Sequence, residues 1–180
     1  MEGSSSSYAQ FAKWQIQVNS SLEFEFRTGE SDGLLLYMDD GGYSDFLEVK
    51  LVSGTVRLRF NLGDGSETLS LGRDLHTGAW HRVGVGLLGA RVSLTVDNLR
   101  KYDNVHHRGD DLTLGNNTIN SYVYVGGLPP WYSGKLKNLA LPSVMFEPRF
   151  RGEIRNVIYA DTSDLGVRQQ RIMAYKVRNN

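Results

Sequence analysis

The sequence predicts an all-β protein in which two antiparallel sheets pack face to face as a jelly-roll sandwich. Three observations indicate this class. Short runs alternate apolar and polar residues, as strands with one buried face do. Turn residues recur about every 8–12 positions, and 20 of the 180 residues are glycine. No helical pattern separates the runs, which favours antiparallel sheets over an α/β fold.

The clearest element is a hairpin over residues 80–98. Gly89 and Ala90 interrupt its alternation and mark the turn. Its apolar positions share one face and are expected to supply core residues: Val83, Val85, Leu87, Val92, Leu94 and Val96.

The remaining strands follow from the same alternation. The run 33–39 is apolar on both faces, so we expect it to be central. The segment 131–149 contains two prolines and is expected to be irregular. The other predicted strands are 22–27, 47–51, 56–62, 69–71, 112–114, 122–125 and 150–159.

We therefore assign residues 8–160 to one domain. Residues 1–7 read as a flexible polar lead that need not belong to the natural protein. Residues 161–180 form a tail that packs on the domain or links from it, with mild helical potential over 167–177.

Composition excludes several classes of function. Lys plus Arg and Asp plus Glu number 20 each, so no net charge attracts nucleic acid or an acidic membrane. The absence of cysteine excludes disulfides, thiolate chemistry and Cys-based zinc sites. No apolar run approaches the length of about 20 residues that spans a bilayer.

The sequence does not indicate an enzyme. Gly84, Gly86 and Gly89 match the spacing GxGxxG, but strand continues on both sides, where a dinucleotide site needs a helix. Glu23 and Glu25 share one strand face, as the paired carboxylates of a sandwich glycosidase do, but their outward positions on a regular strand indicate solvated charges.

Basic residues cluster late in the chain and are a candidate patch for sulfated glycan or an acidic protein. An ordinary solvated surface explains them as well. They are Lys135, Lys137, Arg149, Arg151 and Arg155.

Oxygen-bearing residues at strand ends form a more specific candidate site. Asp45 opens one strand, the next ends at Asn61-Leu62-Gly63, and Asn116 lies in a later turn. Ca²⁺ accepts carboxylate, amide and carbonyl oxygens in flexible geometry. Spacing alone does not decide between a Ca²⁺ site and ordinary turns, because Asp and Asn side chains in turns commonly hydrogen-bond the backbone.

Several blocks together resemble the laminin G-like, or LNS, module. The likeness covers nearly all of residues 11–160 and is greatest to the first such module of the neurexins, a family of presynaptic adhesion proteins. The blocks are LEFEFRT (22–28), GLLLYMDD (33–40), DFLEVKLVSGTVRLRFNLG (45–63), GAWHRVGV (78–85), SLTVDN (93–98), YVGGLP (124–129) and FRGEIRNV (150–157).

The resemblance implies a sandwich of about a dozen strands with a Ca²⁺ site on one rim. Carried over by motif, the ligands are the Asp45 carboxylate, the Leu62 carbonyl, the Leu114 carbonyl and the Asn116 side chain. A single carboxylate implies a dissociation constant on the order of 10⁻⁴–10⁻³ M.

Two features qualify the resemblance. Related first modules often carry cysteines near positions 20 and 44, where this chain has serines, so that disulfide is absent. Asn19 and Asn116 both begin N-glycosylation sequons. A glycan on Asn116 is incompatible with coordination by its amide, so one molecule cannot have both.

The resemblance thus implies a non-enzymatic extracellular module of a single-pass presynaptic receptor. We expect it to bind partner proteins through the Ca²⁺-organised rim, as a monomer, with no nucleic acid and no membrane contact of its own. The alternative is a matrix laminin G module that binds heparan sulfate.

Overall fold

The described part of the chain forms thirteen β-strands. The computed structural model describes residues 7–17, 19–63, 65–105, 120–161 and 166–176. The strands are β1 (Tyr8–Phe11), β2 (Ser21–Arg27), β3 (Gly33–Asp39), β4 (Phe46–Val52), β5 (Thr55–Asn61), β6 (Ser66–Leu71), β7 (His81–Leu88), β8 (Arg91–Val96), β9 (Leu99–Asn104), β10 (Val123–Val125), β11 (Glu153–Tyr159), β12 (Arg168–Gln169) and β13 (Ala174–Lys176).

The strands form two sheets, which confirms the predicted sandwich. One has seven strands in the order β13-β1-β10-β3-β4-β5-β6, and the other has six in the order β12-β11-β2-β7-β8-β9. Every named strand pair is antiparallel.

The predicted hairpin is β7–β8. Val83 pairs with Val96 and Val85 with Leu94, so both strands present their apolar residues to the same side. Gly89 turns the chain with a φ of 60°, in the left-handed region that glycine adopts without strain.

One large apolar core lies between the sheets. The hairpin supplies its predicted residues, and they meet alternate positions of β2, β4 and β5. Leu22, Phe26 and Leu58 are fully buried there. Burying one such side chain contributes about 1.5–3 kcal/mol, so this core supplies most of the apolar stabilisation.

A second apolar cluster covers the outer face of the seven-stranded sheet. Three 3₁₀ turns, Pro130–Gly134, Leu136–Asn138 and Pro142–Phe146, lie in the segment predicted to be irregular. We call residues 128–147 the covering segment. Its buried residues Leu128, Leu139 and Val144 pack on Tyr37 and neighbouring outward residues. All seven residues of β3 are therefore buried, which confirms its central position.

Two sequence interpretations were incomplete or wrong. Strand β9 was not predicted because it is an edge strand with five of its six residues exposed, so its sequence shows no alternation. The helical potential over 167–177 was wrong, because the chain forms β12 and β13 there. These strands pair with the free edges of β11 and β1. The predicted strand 112–114 lies outside the described residues.

Candidate functional site

The β4–β5 pair brings two predicted calcium ligands to one rim of the sandwich. Phe46 pairs with Asn61, the first residue of one strand with the last of the other. Asp45 and Leu62 are the next residues outward, so they lie at the same end. This is the arrangement that the strand-end argument predicted.

The carboxylate of Asp45 is half-buried, and a neighbouring serine donates a hydrogen bond to it. Ser44 Oγ donates a hydrogen bond of 2.8 Å to Asp45 Oδ1. Burial raises the pKa of Asp45, and the charge of Asp40 raises it further. A partly desolvated carboxylate beside a second negative charge gains energy from a nearby cation, so the site's electrostatics fit a hard metal ion.

The loop before β4 is organised by Asp40, which the sequence argument did not single out. Its carboxylate accepts hydrogen bonds from the backbone N–H groups of Tyr43, Ser44 and Asp45 at 2.9–3.1 Å. The Asp40 N–H in turn donates to the Asp45 carbonyl at 3.0 Å. The sequence signal for this role of Asp40 was the Asp-Gly-Gly turn, because an Asp side chain in a turn commonly accepts hydrogen bonds from backbone N–H groups a few residues later.

Asn61 organises the facing turn and joins it to that loop. Its Oδ1 accepts from the N–H groups of Gly63 and Gly65 at 3.2 and 3.3 Å. Its Nδ2 donates to the Ser44 carbonyl at 3.2 Å. The Leu62 side chain is buried in the core, 8% exposed, which anchors the backbone whose carbonyl is the predicted ligand.

The other two predicted ligands, Leu114 and Asn116, lie outside the described residues, so the four-ligand set stays a prediction. Among the residues that the structure does describe, no group of three His, Cys, Asp or Glu side chains could hold a metal. A calcium site here would therefore depend on carbonyl and amide oxygens. Asn19, the other sequon residue, is exposed in a turn with a φ of 65°.

The five basic residues do not form one patch. Lys135 and Lys137 are exposed on the covering segment, outside the seven-stranded sheet. Arg155 lies on the outer face of the six-stranded sheet, on the opposite side of the sandwich. Arg149 forms a parallel β-bridge with Leu34 of β3, and Arg151 follows two residues later.

Arg149 and Arg151 are only partly available to a ligand. Burial lowers the pKa of Arg149, and its Nη1 is buried without a hydrogen-bond partner. Arg151 Nη1 lies 3.7 Å from Glu30 Oε1.

Arg155 belongs to a charged and aromatic network. Its guanidinium lies 3.8 Å from the centre of the Trp80 ring, and that of Arg27 lies 5.0 Å from it. Arg155 Nε donates to Glu25 Oε2 at 2.6 Å. Arg82 Nη2 donates to Glu25 Oε1 at 3.3 Å.

This network corrects the interpretation of Glu25 as a solvated charge. Its side chain is only 14% exposed. The hydrogen bond from Arg155 lowers the pKa of Glu25, with further donors at Asn156 and Arg82. The carboxylate is therefore held ionised among donors, which suits a structural role.

The glycine motif is structural, as predicted. Gly84 and Gly86 lie within β7, opposite Glu23 and Ser21 of β2, and no helix follows. A Cβ on Gly86 would lie 2.9 Å from Ser93 Oγ, so the outer face is closely packed there.

Comparisons with known proteins agree with this fold. Residues 26–162 match the laminin G domain family. Domains LG4-5 of the mouse laminin alpha1 chain superpose with a TM-score of 0.71 at 22% identity, over 96% of this chain and 43% of that one. The chain therefore belongs to the laminin G domain family.

Within that family the similarity is to neurexins. The chain is 49% identical over 172 residues to Neurexin 1 of Drosophila melanogaster, and 36% identical over 157 residues to human Neurexin-2. These alignments cover 96% and 86% of this chain but 9% of each relative. The resemblance to a neurexin LNS domain is thus confirmed for a segment that spans a small part of the whole relatives.

The secondary structure of the described residues includes no helix of sufficient length and apolarity to cross a membrane.

Proposed function

We propose that this domain is an extracellular recognition module of a neurexin-like cell-adhesion receptor on the presynaptic membrane. It binds protein partners through a rim that Ca²⁺ organises, and it catalyses no reaction. The observation that carries the proposal is the pair of loops at 40–45 and 61–63, which hydrogen bonds hold in place with Asp45 at the end of the first.

In this proposal Asp45 supplies the carboxylate and Leu62 a backbone carbonyl. Leu114 and Asn116 supply the remaining protein oxygens, and water completes the coordination. Bound Ca²⁺ neutralises Asp45 and offsets the cost of its burial beside Asp40. One carboxylate gives an affinity on the order of 10⁻⁴–10⁻³ M, which suits extracellular calcium.

The rim also offers an aromatic anchor for a protein partner. Tyr43 is 77% exposed at the tip of the loop that Asp40 organises. A Tyr on a fixed backbone loses little conformational freedom when a partner covers it, and such residues commonly dominate binding energy. Ca²⁺ would strengthen partner binding by fixing this loop.

The charge distribution favours a protein over a sulfated glycan as partner. The predicted basic residues divide between opposite sides of the sandwich, and Arg155 is already paired with Glu25. A heparan sulfate chain needs several cations along one face. No such face combines all five residues.

Isothermal titration with Ca²⁺ tests the proposal. Protein lacking a glycan on Asn116, checked by intact mass, is expected to bind one Ca²⁺ with millimolar or submillimolar affinity. Asp45→Ala is expected to abolish the heat, whereas the matched control Asp74→Asn, beside Gly54 at the opposite end of β4 and β5, is expected to retain it. Absence of binding to the unsubstituted protein, or binding that Asp45→Ala leaves unchanged, would refute the site.

A further inference from the structure

A row of side chains crosses the outer face of the seven-stranded sheet and is only partly covered. Gln10, Tyr124, Tyr37 and Glu48 are consecutive cross-strand neighbours. The covering segment closes over Tyr37, whose hydroxyl accepts from the Leu141 N–H at 3.2 Å. Over Tyr124 and Gln10 the cover ends, and a cleft of about 650 Å³ opens there.

The walls of the cleft are aromatic rings held in place by one another. Trp131 stacks on Tyr132 with ring centroids 6.3 Å apart and an interplanar angle of 29°. The edge of Tyr8 meets Trp131 at 5.9 Å, and Tyr124 meets Tyr132 at the same separation. Trp131 nevertheless remains 54% exposed, so the rings form a fixed apolar platform that solvent reaches.

Side-chain amides face this platform. Gln10, Asn120 and Asn138 all line the cleft. Asn120 is 2% exposed, and its Oδ1 has no hydrogen-bond partner among the described residues. An unpaired buried acceptor costs free energy, which a ligand that donates a hydrogen bond would recover.

The cleft carries little charge. Among the described residues that line the cleft, Lys13 is the one with a charged side chain, and its ammonium lies 5.6 Å from the centre of the Tyr122 ring. Aromatic faces, amides and low charge suit a ligand with apolar C–H faces and hydroxyl groups.

We propose that this cleft is a binding site for a neutral saccharide. The C–H face of a sugar ring packs on Trp131, and its hydroxyls exchange hydrogen bonds with the amides, one donating to Asn120 Oδ1. The volume is within the range of about 300–1,000 Å³ typical of ligand sites. A proline-rich peptide also packs on aromatic rings, but proline has no N–H to donate, so the Asn120 acceptor favours the sugar.

Neither Asp45 nor Leu62 lines the cleft, although Gly41 of the rim loop borders it. Saccharide binding is therefore expected to persist in EDTA and in Asp45→Ala. Its failure would leave the calcium proposal unaffected, and failure of calcium binding would leave the cleft proposal unaffected.

Saturation-transfer NMR with lactose, mannobiose and N,N′-diacetylchitobiose provides the test, with sialyllactose and a proline decamer as comparison ligands. At least one neutral disaccharide is expected to bind at millimolar concentration. Trp131→Ala and Asn138→Ala are each expected to weaken it, the first by at least about tenfold. Phe146→Ala is the matched control, because Phe146 is 80% exposed on the same covering segment but outside the cleft.

Thermal unfolding of each variant establishes that it is folded. The proposal is overturned if none of the three neutral disaccharides binds, if Trp131→Ala binds as well as the unsubstituted protein, or if only the proline decamer or sialyllactose binds.

Discussion

The Tyr37 hydroxyl donates a hydrogen bond of 2.8 Å to Asp39 Oδ2, two positions along the same face of β3. Asp39 also accepts from the Ala140 N–H at 3.0 Å, and Tyr37 accepts from the Leu141 N–H. The last two of these bonds join the central strand to the covering segment. Because Asp39 Oδ1 accepts from the Gly41 N–H at 2.9 Å, the same carboxylate also begins the rim loop.

Tyr37→Phe is expected to destabilise the domain by about 1–3 kcal/mol, because the buried Leu141 N–H loses its acceptor and Asp39 loses a donor. Urea unfolding followed by tryptophan fluorescence measures the change. Tyr43→Phe removes the same atom from a residue 77% exposed and is expected to have no effect. Equal stability of the two variants would contradict this role for the Tyr37 hydroxyl.

Glu48→Gln is expected to stabilise the domain increasingly as pH rises. Glu48 is 1% exposed, and burial raises its pKa above the ordinary 4.5, although Lys50 lies 3.3 Å away. The folded protein therefore binds more protons than the unfolded chain, so the contribution of Glu48 to stability is lost as pH rises through its folded pKa. Urea unfolding of both proteins from about pH 4 to about pH 8 measures the difference.

Glu25→Gln is the matched control, and its effect on the free energy of unfolding is expected to change with pH in the opposite direction. The pKa of Glu25 is lowered, so its ionised form stabilises the fold above pH 4.5 and that contribution is lost as pH falls through the folded pKa. The variant should be less stable than the unsubstituted protein at neutral pH and approach it in acid. The same pH trend in both variants would contradict these assignments.

Asn61→Ala is expected to weaken Ca²⁺ binding without removing a ligand. The change deletes the bonds that hold Gly63, Gly65 and Ser44, so the two rim loops lose their common support. Residues that orient ligands in this way affect affinity by about tenfold or more. Isothermal titration measures the effect, and Asn98→Ala, at an exposed position in the turn between β8 and β9, is the control. Unchanged affinity in Asn61→Ala would show that the loops need no such support.

Much of the fold follows from side-chain alternation alone. The hairpin 80–98 was predicted correctly because one of its faces is in the core, so its sequence has a period of two. Strand β9 and the tail strands could not be predicted this way. The side chains that the structure describes in these strands are largely exposed, and the pairing of the strands depends on edges that β8, β11 and β1 provide only in the folded protein.

The candidate site could be predicted only in part, for a related reason. Asp45 and Leu62 lie at one rim because β4 and β5 are adjacent in sequence and pair residue by residue, and their role as ligands stays a prediction. The cleft beside Tyr124 joins β1, β10 and the covering segment, which are distant in sequence. No local pattern brings Gln10 close to Trp131. Only the sheet order does so.

The domain is expected to elute from a heparin column at or below physiological ionic strength, about 0.15 M. Lys135 and Lys137 lie on one side of the sandwich and Arg155 on the other, so one sulfated chain cannot contact all of them along a single face. Arg155 is also committed to Glu25 and to the Trp80 ring. The double variant Lys135→Ala/Lys137→Ala is expected to elute at the same salt concentration as the unsubstituted protein. Elution well above that ionic strength, lowered by the double variant, would instead establish the covering segment as a heparan sulfate site.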